Sequence, residues 1–467
     1  MHIKISKSDV VWNYAGNVIN LGLNTLLLPV ILRSLSIQEL GIWYVFVSLA
    51  ALANLMDFGF SPTIMRNISY AWSGANEIYK EGALFVESDS QSINYKLIRD
   101  IIESSKKIYL IISLFAFVIM ITAGSYYIIS LLESDQIHVL LSWSIFTFAI
   151  FVNIYLGYWN PILKGIGNIK KANQILVISR IVYLIFVIIG LLLGGGLIWL
   201  SLSQLFLGFI TGAISRFIFE KYVGEGFTNI RRSESLQIKN IFEIIWFNAK
   251  KMGIVTIGSW LISRSSTLLC SSFLGLEITS KYGLSLQLLG IVGSISSLMI
   301  NSYSPELISL KINQNNERFS RIVSRAVVVQ WITNIFGILI VISLGPRFLG
   351  LIGSNSTLLP TGILWLMGVV LFLESNHSTF ATIITLSNKV PFVKASIISG
   401  LAIIFISFLS LELTSLGVAG LVLSQGLVQL AYNNWRWPVI VMNENNLTIS
   451  SMVRNAFLEI SLIIKQL

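Results

Sequence analysis

Apolar runs of about twenty residues, each long enough to carry a helix through a hydrocarbon core roughly 30 Å thick, recur twelve times along this chain. They lie near 10–32, 40–62, 107–131, 140–162, 172–193, 197–216, 247–270, 282–303, 322–344, 360–385, 391–411 and 416–438. Lipid offers no partner to a backbone N–H or C=O, so each run must bond itself internally as a helix. The expected fold is therefore an all-α integral membrane protein of about twelve transmembrane helices. Only 12% of residues are charged, against roughly a quarter in soluble domains, so no large water-exposed domain is expected.

Charge sets the orientation. The segments on one side of the spans hold Arg33, Lys281 and Arg347. Arg180 and Arg264 fall well within spans, and the remaining Lys and Arg lie on the other side with both termini or at the inner ends of spans, which the positive-inside rule makes cytoplasmic. The net charge of +10 is spread over these inner segments instead of one solvated face, so no nucleic-acid partner is expected. The basic segments 64–106 and 217–250, and a helix over 92–107, are expected to lie along the anionic cytoplasmic leaflet. At the C-terminus Ile449, Met452, Val453, Ala456, Phe457 and Ile460 share one helical face, which predicts an interfacial amphipathic helix. No removable signal peptide is expected. The one cysteine, Cys270, sits in an apolar run and reads as a packing residue.

The two halves echo one another in order and direction. Gly41 with Ser61-Pro62 matches Gly283 with Ser304-Pro305, Leu202-Ser203-Gln204 matches Leu423-Ser424-Gln425, and Asn168 falls opposite Asn388. Such a parallel repeat predicts two six-helix lobes around a central cavity. The expected organisation is an N-lobe at 1–216, a cytoplasmic linker at 217–246, a C-lobe at 247–441 and the interfacial helix at 442–467.

Polar residues inside the spans mark the candidate site. Asn13, Asn17, Asn20 and Asn24 in span one are spaced four, three and four apart, which gathers them within about 60° of one helical face. That stripe reads either as interhelical hydrogen bonding or as the wall of a hydrated cavity. Fainter stripes are Asn153 and Asn160 in span four, Gln287, Ser294, Ser297 and Asn301 in span eight, and Gln425 and Gln429 in span twelve. Ionisable groups at membrane depth cost several kcal/mol and mark a pathway or a pair. Arg180, Arg264 and Glu374, with His377 one turn from it, are such groups. They read either as an ion pair between Glu374 and an arginine, or as guanidinium groups that meet an anionic, phosphate-like headgroup. Asp57 and Arg66 bracket the inner end of span two and read as loop-fixing or gating residues.

The stretches Glu39-Leu-Gly-Ile-Trp, Leu55-Met-Asp-Phe-Gly-Phe-Ser and Arg66-Asn-Ile-Ser, with Phe273-Leu-Gly-Leu-Glu-Ile-Thr-Ser-Lys-Tyr-Gly and Ser304-Pro-Glu-Leu in the second half, resemble a known family. They are similar to the O-antigen (Wzx-type) polysaccharide flippases of the multidrug/oligosaccharidyl-lipid/polysaccharide exporter superfamily. The resemblance implies a MATE-like fold and translocation of an undecaprenyl-pyrophosphate-linked oligosaccharide from the cytoplasmic to the periplasmic leaflet of the bacterial inner membrane. It further implies a polysaccharide polymerase and a chain-length regulator as partners, and a monomeric transport unit. The carboxylate such families carry near the position of Ser263 or Arg264 is absent here, which leaves a pairing carried over to that point without its acid. Twelve spans rather than fourteen separate the chain from the related peptidoglycan-precursor flippase.

A multidrug or cation antiporter of the same superfamily would want acidic groups at depth, and the balance of Arg180 and Arg264 against Glu374 leans the other way. A membrane-embedded glycan polymerase would need a catalytic constellation among outer loops that are short and poor in ionisable residues. No nucleotide loop, metal cluster or nucleophile triad appears. The chain thus reads as a non-enzyme without a cofactor, with a proton or sodium gradient as the candidate power source. In a Cys270→Ser background, Asn355→Cys is expected to react with a membrane-impermeant maleimide in intact cells, and Glu317→Cys only after the cells are opened.

Overall fold

The computed structural model describes residues 27–57, 60–75, 77–78, 83–84, 93–132, 137–224, 242–243, 245, 257–301, 303, 307, 310, 315–386 and 391–466. Apart from one short antiparallel hairpin, β1 (Glu77–Ile78) with β2 (Ala83–Leu84), the described elements are helical. The chain forms two compact units. The first is Met1–Leu35 with Val45–Ile257, and the second Ser36–Tyr44 with Gly258–Leu467. Most of the predicted linker 217–246 beyond residue 224 and the start of the predicted C-lobe lie outside the described residues.

In the first unit, helix α1 (Ile37–Asn54) runs into a single turn, Leu55–Asp57, before α2 (Phe60–Trp72). Only the part of α1 from Val45 onward belongs to this unit. Then come α3 (Tyr95–Ile119), a π-helical turn Met120–Gly124, and α4 (Ser125–Leu131). After these follow α5 (Ile137–Leu156), α6 (Trp159–Gly165), α7 (Ile169–Leu192) and α8 (Gly196–Val223). The helix expected to lie apart along the leaflet at 92–107 is instead the first turns of α3, which continue into the third span. Asn94 opens α3 by accepting from the Leu97 amide at 3.0 Å. No Pro or Gly interrupts residues 95–119, and once nucleated a helix propagates until something stops it.

The second unit contains α9 (Ser265–Ser296), α10 (Asn316–Leu351), α11 (Thr361–Thr385) and α12 (Val393–Leu413). It ends with α13 (Val418–Ala431), α14 (Asn433–Glu444) and α15 (Ile449–Gln466). The predicted turn between spans seven and eight shrinks to one residue. Gly275, at φ 81° and ψ 171°, breaks α9, and that left-handed conformation is open to glycine alone at little cost.

Seven described helices are long and apolar enough to cross a membrane: Tyr95–Leu131, Ile137–Gly165, Ile169–Leu192, Gly196–Val223, Asn316–Leu351, Thr361–Thr385 and Val393–Leu413. The other predicted spans fall on segments that are only partly described, broken or short: residues 27–34, α1 with α2, α9 on either side of Gly275, and α13.

Helices pair in corresponding order within each unit. In the first, α3 packs on α5, α5 on α8 and α7 on α8; in the second, α10 packs on α11, α11 on α13 and α12 on α13. Asn315 repeats the cap of Asn94, accepting from the Arg318 amide at 3.2 Å. The C-terminal helix docks on α10, with Met452 and Ala456 buried beside Phe319, Ile322 and Val323. Ile449 and Phe457 of the same predicted face stay 62% exposed. The expected single membrane-facing stripe is therefore divided, because α10 presents apolar surface that its inner half can bury.

Close helix packing rests on small residues where backbones or rings approach. A Cβ on Gly190 of α7 would lie 1.6 Å from the Trp199 ring of α8, whose Nε1 donates to the Phe186 carbonyl at 2.8 Å. Gly190→Ala is expected to cost on the order of 1–3 kcal/mol, read as a fall in the melting temperature of the purified protein. Gly290→Ala, where nothing lies within 4 Å of the added carbon, should leave it unchanged.

Candidate functional site

The polar residues within the spans separate into those that tie helices together and those that keep hydrogen-bonding capacity in hand. Asn13, Asn17, Asn20 and Asn24 lie outside the described residues. In the first unit Asp57 sits on the turn between α1 and α2 and accepts a very short hydrogen bond from the Tyr109 hydroxyl of α3. Arg66, on α2, is exposed and not drawn to it. Asn153 on α5 donates its amide to the Ala149 carbonyl at 2.8 Å and across to the Gln204 carbonyl of α8 at 3.1 Å. Asn160 is half-buried on α6.

Arg180 belongs to the middle of α7. The lipid-facing stripe of that helix is drawn by Ile178, Ile181, Ile185 and Ile189, all 41–52% exposed. At 100° per residue, Arg180 points roughly opposite that stripe. It shares its side of the helix with Asn173, Tyr183 and Val187, which are 4%, 5% and 0% exposed. Its guanidinium carbon lies 5.9 Å from the Tyr183 ring centroid. An arginine at this depth is therefore turned into the protein and compensated by an aromatic face.

In the second unit Arg264 is found on a turn between two helical stretches and is exposed. The residue expected deep in span seven thus stands at a break between two helical stretches. Gln287 accepts from the Tyr44 hydroxyl at 2.8 Å, Tyr44 itself belonging to this unit. Asn301 is exposed. Glu374 on α11 accepts from Gln425 Nε2 of α13 at 2.5 Å, and His377 Nδ1 lies 2.7 Å from Asn434 Oδ1 of α14. Gln425 is 6% exposed. Among the described residues no ion pair engages Arg180, Arg264 or Glu374.

Sequence reasoning overlooked an amide layer around α11. Gln330 and Trp331 of α10 donate to Ser375 and Asn376 at 2.9 and 2.7 Å. Asn334 donates to Ser296 at 3.0 Å, and Asn433 donates to Ser399 and Gln429 at 2.8 and 2.7 Å. The signal lay in the spacing of Gln330 and Asn334, one turn apart in a span. Tyr109, Tyr183 and Gln204 were likewise missed as partners of the flagged residues.

Residues 6–311 match the family described as polysaccharide biosynthesis protein. No curated protein matches the sequence. Among solved structures, the chain is similar to the inward-facing conformation of a multidrug resistance MATE family transporter of the MOP superfamily. That likeness covers 97% of both chains with a TM-score of 0.66 at 14% identity. It is similar to the outward-facing conformation of a multidrug resistance MATE family transporter of the same superfamily, over 97% of this chain and 100% of the other, with a TM-score of 0.56 at 13% identity. A Pyrococcus furiosus MOP superfamily transporter, whose binding pocket is described as reversed in polarity, aligns over 96% of this chain and 99% of its own with a TM-score of 0.53 at 15% identity. Matched over more than half its length, and with apolar helices arranged in the fold of MATE transporters, this multi-pass membrane protein belongs to the polysaccharide biosynthesis protein family.

Proposed function

We propose that the chain is a flippase that carries an undecaprenyl-pyrophosphate-linked oligosaccharide, an O-antigen or related surface-polysaccharide repeat unit, from the cytoplasmic to the periplasmic leaflet of the bacterial inner membrane by alternating access. Membership of a polysaccharide biosynthesis family and the transporter fold support the class. The observation that carries the substrate is Arg180, an arginine turned inward at mid-span with no carboxylate on it among the described residues. Guanidinium offers five donors in a fixed fork that meets a phosphate bidentately, and a low-dielectric setting strengthens that attraction. A cationic drug would find repulsion at the same place.

Glu374 supplies the opposite sign. Held by Gln425, its carboxylate retains further lone pairs, so it can accept from sugar hydroxyls or take up a coupling proton or sodium ion. No cofactor enters this scheme. The polymerase and chain-length regulator of the surface polysaccharide would act on what the flippase delivers, and the basic cytoplasmic segments would hold anionic lipids.

The deciding experiment follows lipid-linked repeat units in cells that lack the protein, where they should accumulate on the cytoplasmic leaflet. Accumulation on the periplasmic leaflet would point to a polymerase, and normal display with raised drug sensitivity to a multidrug antiporter. Arg180→Ala is expected to cut export about tenfold, the loss of one charge-assisted bond, with the protein still inserted at wild-type level. Arg264→Ala and Glu374→Ala should also lower export, and normal export in all three variants would dismiss these residues as the site.

A further inference from the structure

A cation at membrane depth has to be compensated, and the partner chosen decides what the cation can still do. A carboxylate would neutralise Arg180 and occupy the N–H groups that a phosphate needs. An aromatic face attracts the charge through the ring quadrupole and leaves those donors available. Tyr183, one turn along α7, provides that face at 5.9 Å, and it is 5% exposed. Its ring is not left to rotate. Gln204 of α8 donates Nε2 to the Tyr183 hydroxyl at 3.0 Å. The backbone of the same glutamine is tied to α5, through the 3.1 Å bond from Asn153 Nδ2 to the Gln204 carbonyl. A chain of contacts thus runs from α5 through α8 to the guanidinium on α7.

The repeat-related glutamine behaves in parallel. Gln425 occupies the same place in its Leu-Ser-Gln triplet and donates to Glu374 at 2.5 Å. In one half the glutamine braces a cation through a ring, and in the other it holds an anion directly. Each of these two glutamines thus reaches from its own helix to an ionisable side chain or the ring beside it.

We propose that Tyr183 and Gln204 are positioning residues for cargo recognition, Gln204 fixing the Tyr183 ring and the ring fixing the Arg180 guanidinium toward the diphosphate of the lipid carrier. This rests on the reading of Arg180 as the phosphate-binding group. Arginine carries about 2 kcal/mol of rotamer entropy, so a side chain already held by a ring face gives up less of it on binding.

The test measures affinity for undecaprenyl diphosphate, with undecaprenyl monophosphate as comparison, on the full-length protein in nanodiscs. Wild type should prefer the diphosphate. Tyr183→Leu should weaken diphosphate binding about tenfold, the scale of one cation–π contact, and erase the preference. Tyr183→Phe keeps the face but loses the pin, so it should weaken binding only about threefold. Gln204→Leu should match it, and the Tyr183→Phe, Gln204→Leu double variant should be no weaker than either single one, because both remove the same link. Effects of Tyr183→Phe and Gln204→Leu that multiply, or a preference retained in Tyr183→Leu, would overturn the proposal. Should Tyr183→Leu fail to fold, the Phe and Gln204 variants decide alone. Arg180→Ala separates the levels: unchanged affinity there, or no binding of either lipid by wild type, removes the phosphate reading itself. Loss in Arg180→Ala without loss in the Tyr183 and Gln204 variants removes only the positioning role.

Discussion

The hydrocarbon core denies every buried polar group the option of water, and the rest of the structure follows from how each group meets that denial. Many hydroxyls take the cheapest route and bond back to their own helix: Ser142 to the His138 carbonyl at 2.7 Å, Ser203 to Trp199 at 2.7 Å and Ser424 to Gly420 at 2.7 Å. An amide has too many donors and acceptors for that solution and must reach across to a neighbour. Asn153, Gln330, Asn334 and Asn433 each do so. These bonds fix which helices are neighbours, while residues such as Gly190 set how near they come.

The repeat gives this packing its order. Corresponding helices pair alike within each unit, and the capping asparagines Asn94 and Asn315 begin α3 and α10 in the same way. What has diverged is charge. The place held by Gln204 leads through a phenol ring to Arg180, and the place held by Gln425 leads to Glu374. Corresponding places in the two units thereby lead to ionic groups of opposite sign.

Much of the fold was legible because the period and length of apolar runs are imposed by the bilayer itself. The helices at Ile169–Leu192, Gly196–Val223 and Val393–Leu413 lie close to the runs that foretold them. Boundaries were less legible where the deciding signal was local. Nothing in hydropathy says that α3 begins at Tyr95, ahead of the apolar run, or that one glycine with positive φ replaces a loop at Gly275. The site was legible only as a set of residue types. Sequence could flag Asn153, His377 and Gln425 as out of place in lipid, but the distinction between a cavity wall and a helix tie depends on partners from other spans. Arg264 adds another local feature that hydropathy does not carry, a break in the helix at that residue.

That distinction bears on how polar stripes in membrane helices are read. Cargo can be recognised only by hydrogen-bonding capacity that the fold has not already spent. His377 shares its Nδ1 with Asn434 at 2.7 Å and Asn153 gives its amide to two carbonyls, so both hold the protein together first. Arg180 is different in kind, since a ring face lowers the cost of its charge without consuming a donor. On the proposed reading, the capacity to meet a diphosphate arises from the partner chosen for the arginine as much as from the arginine itself. An aromatic residue one turn away, pinned by a glutamine from the next helix, is the structural form that choice takes.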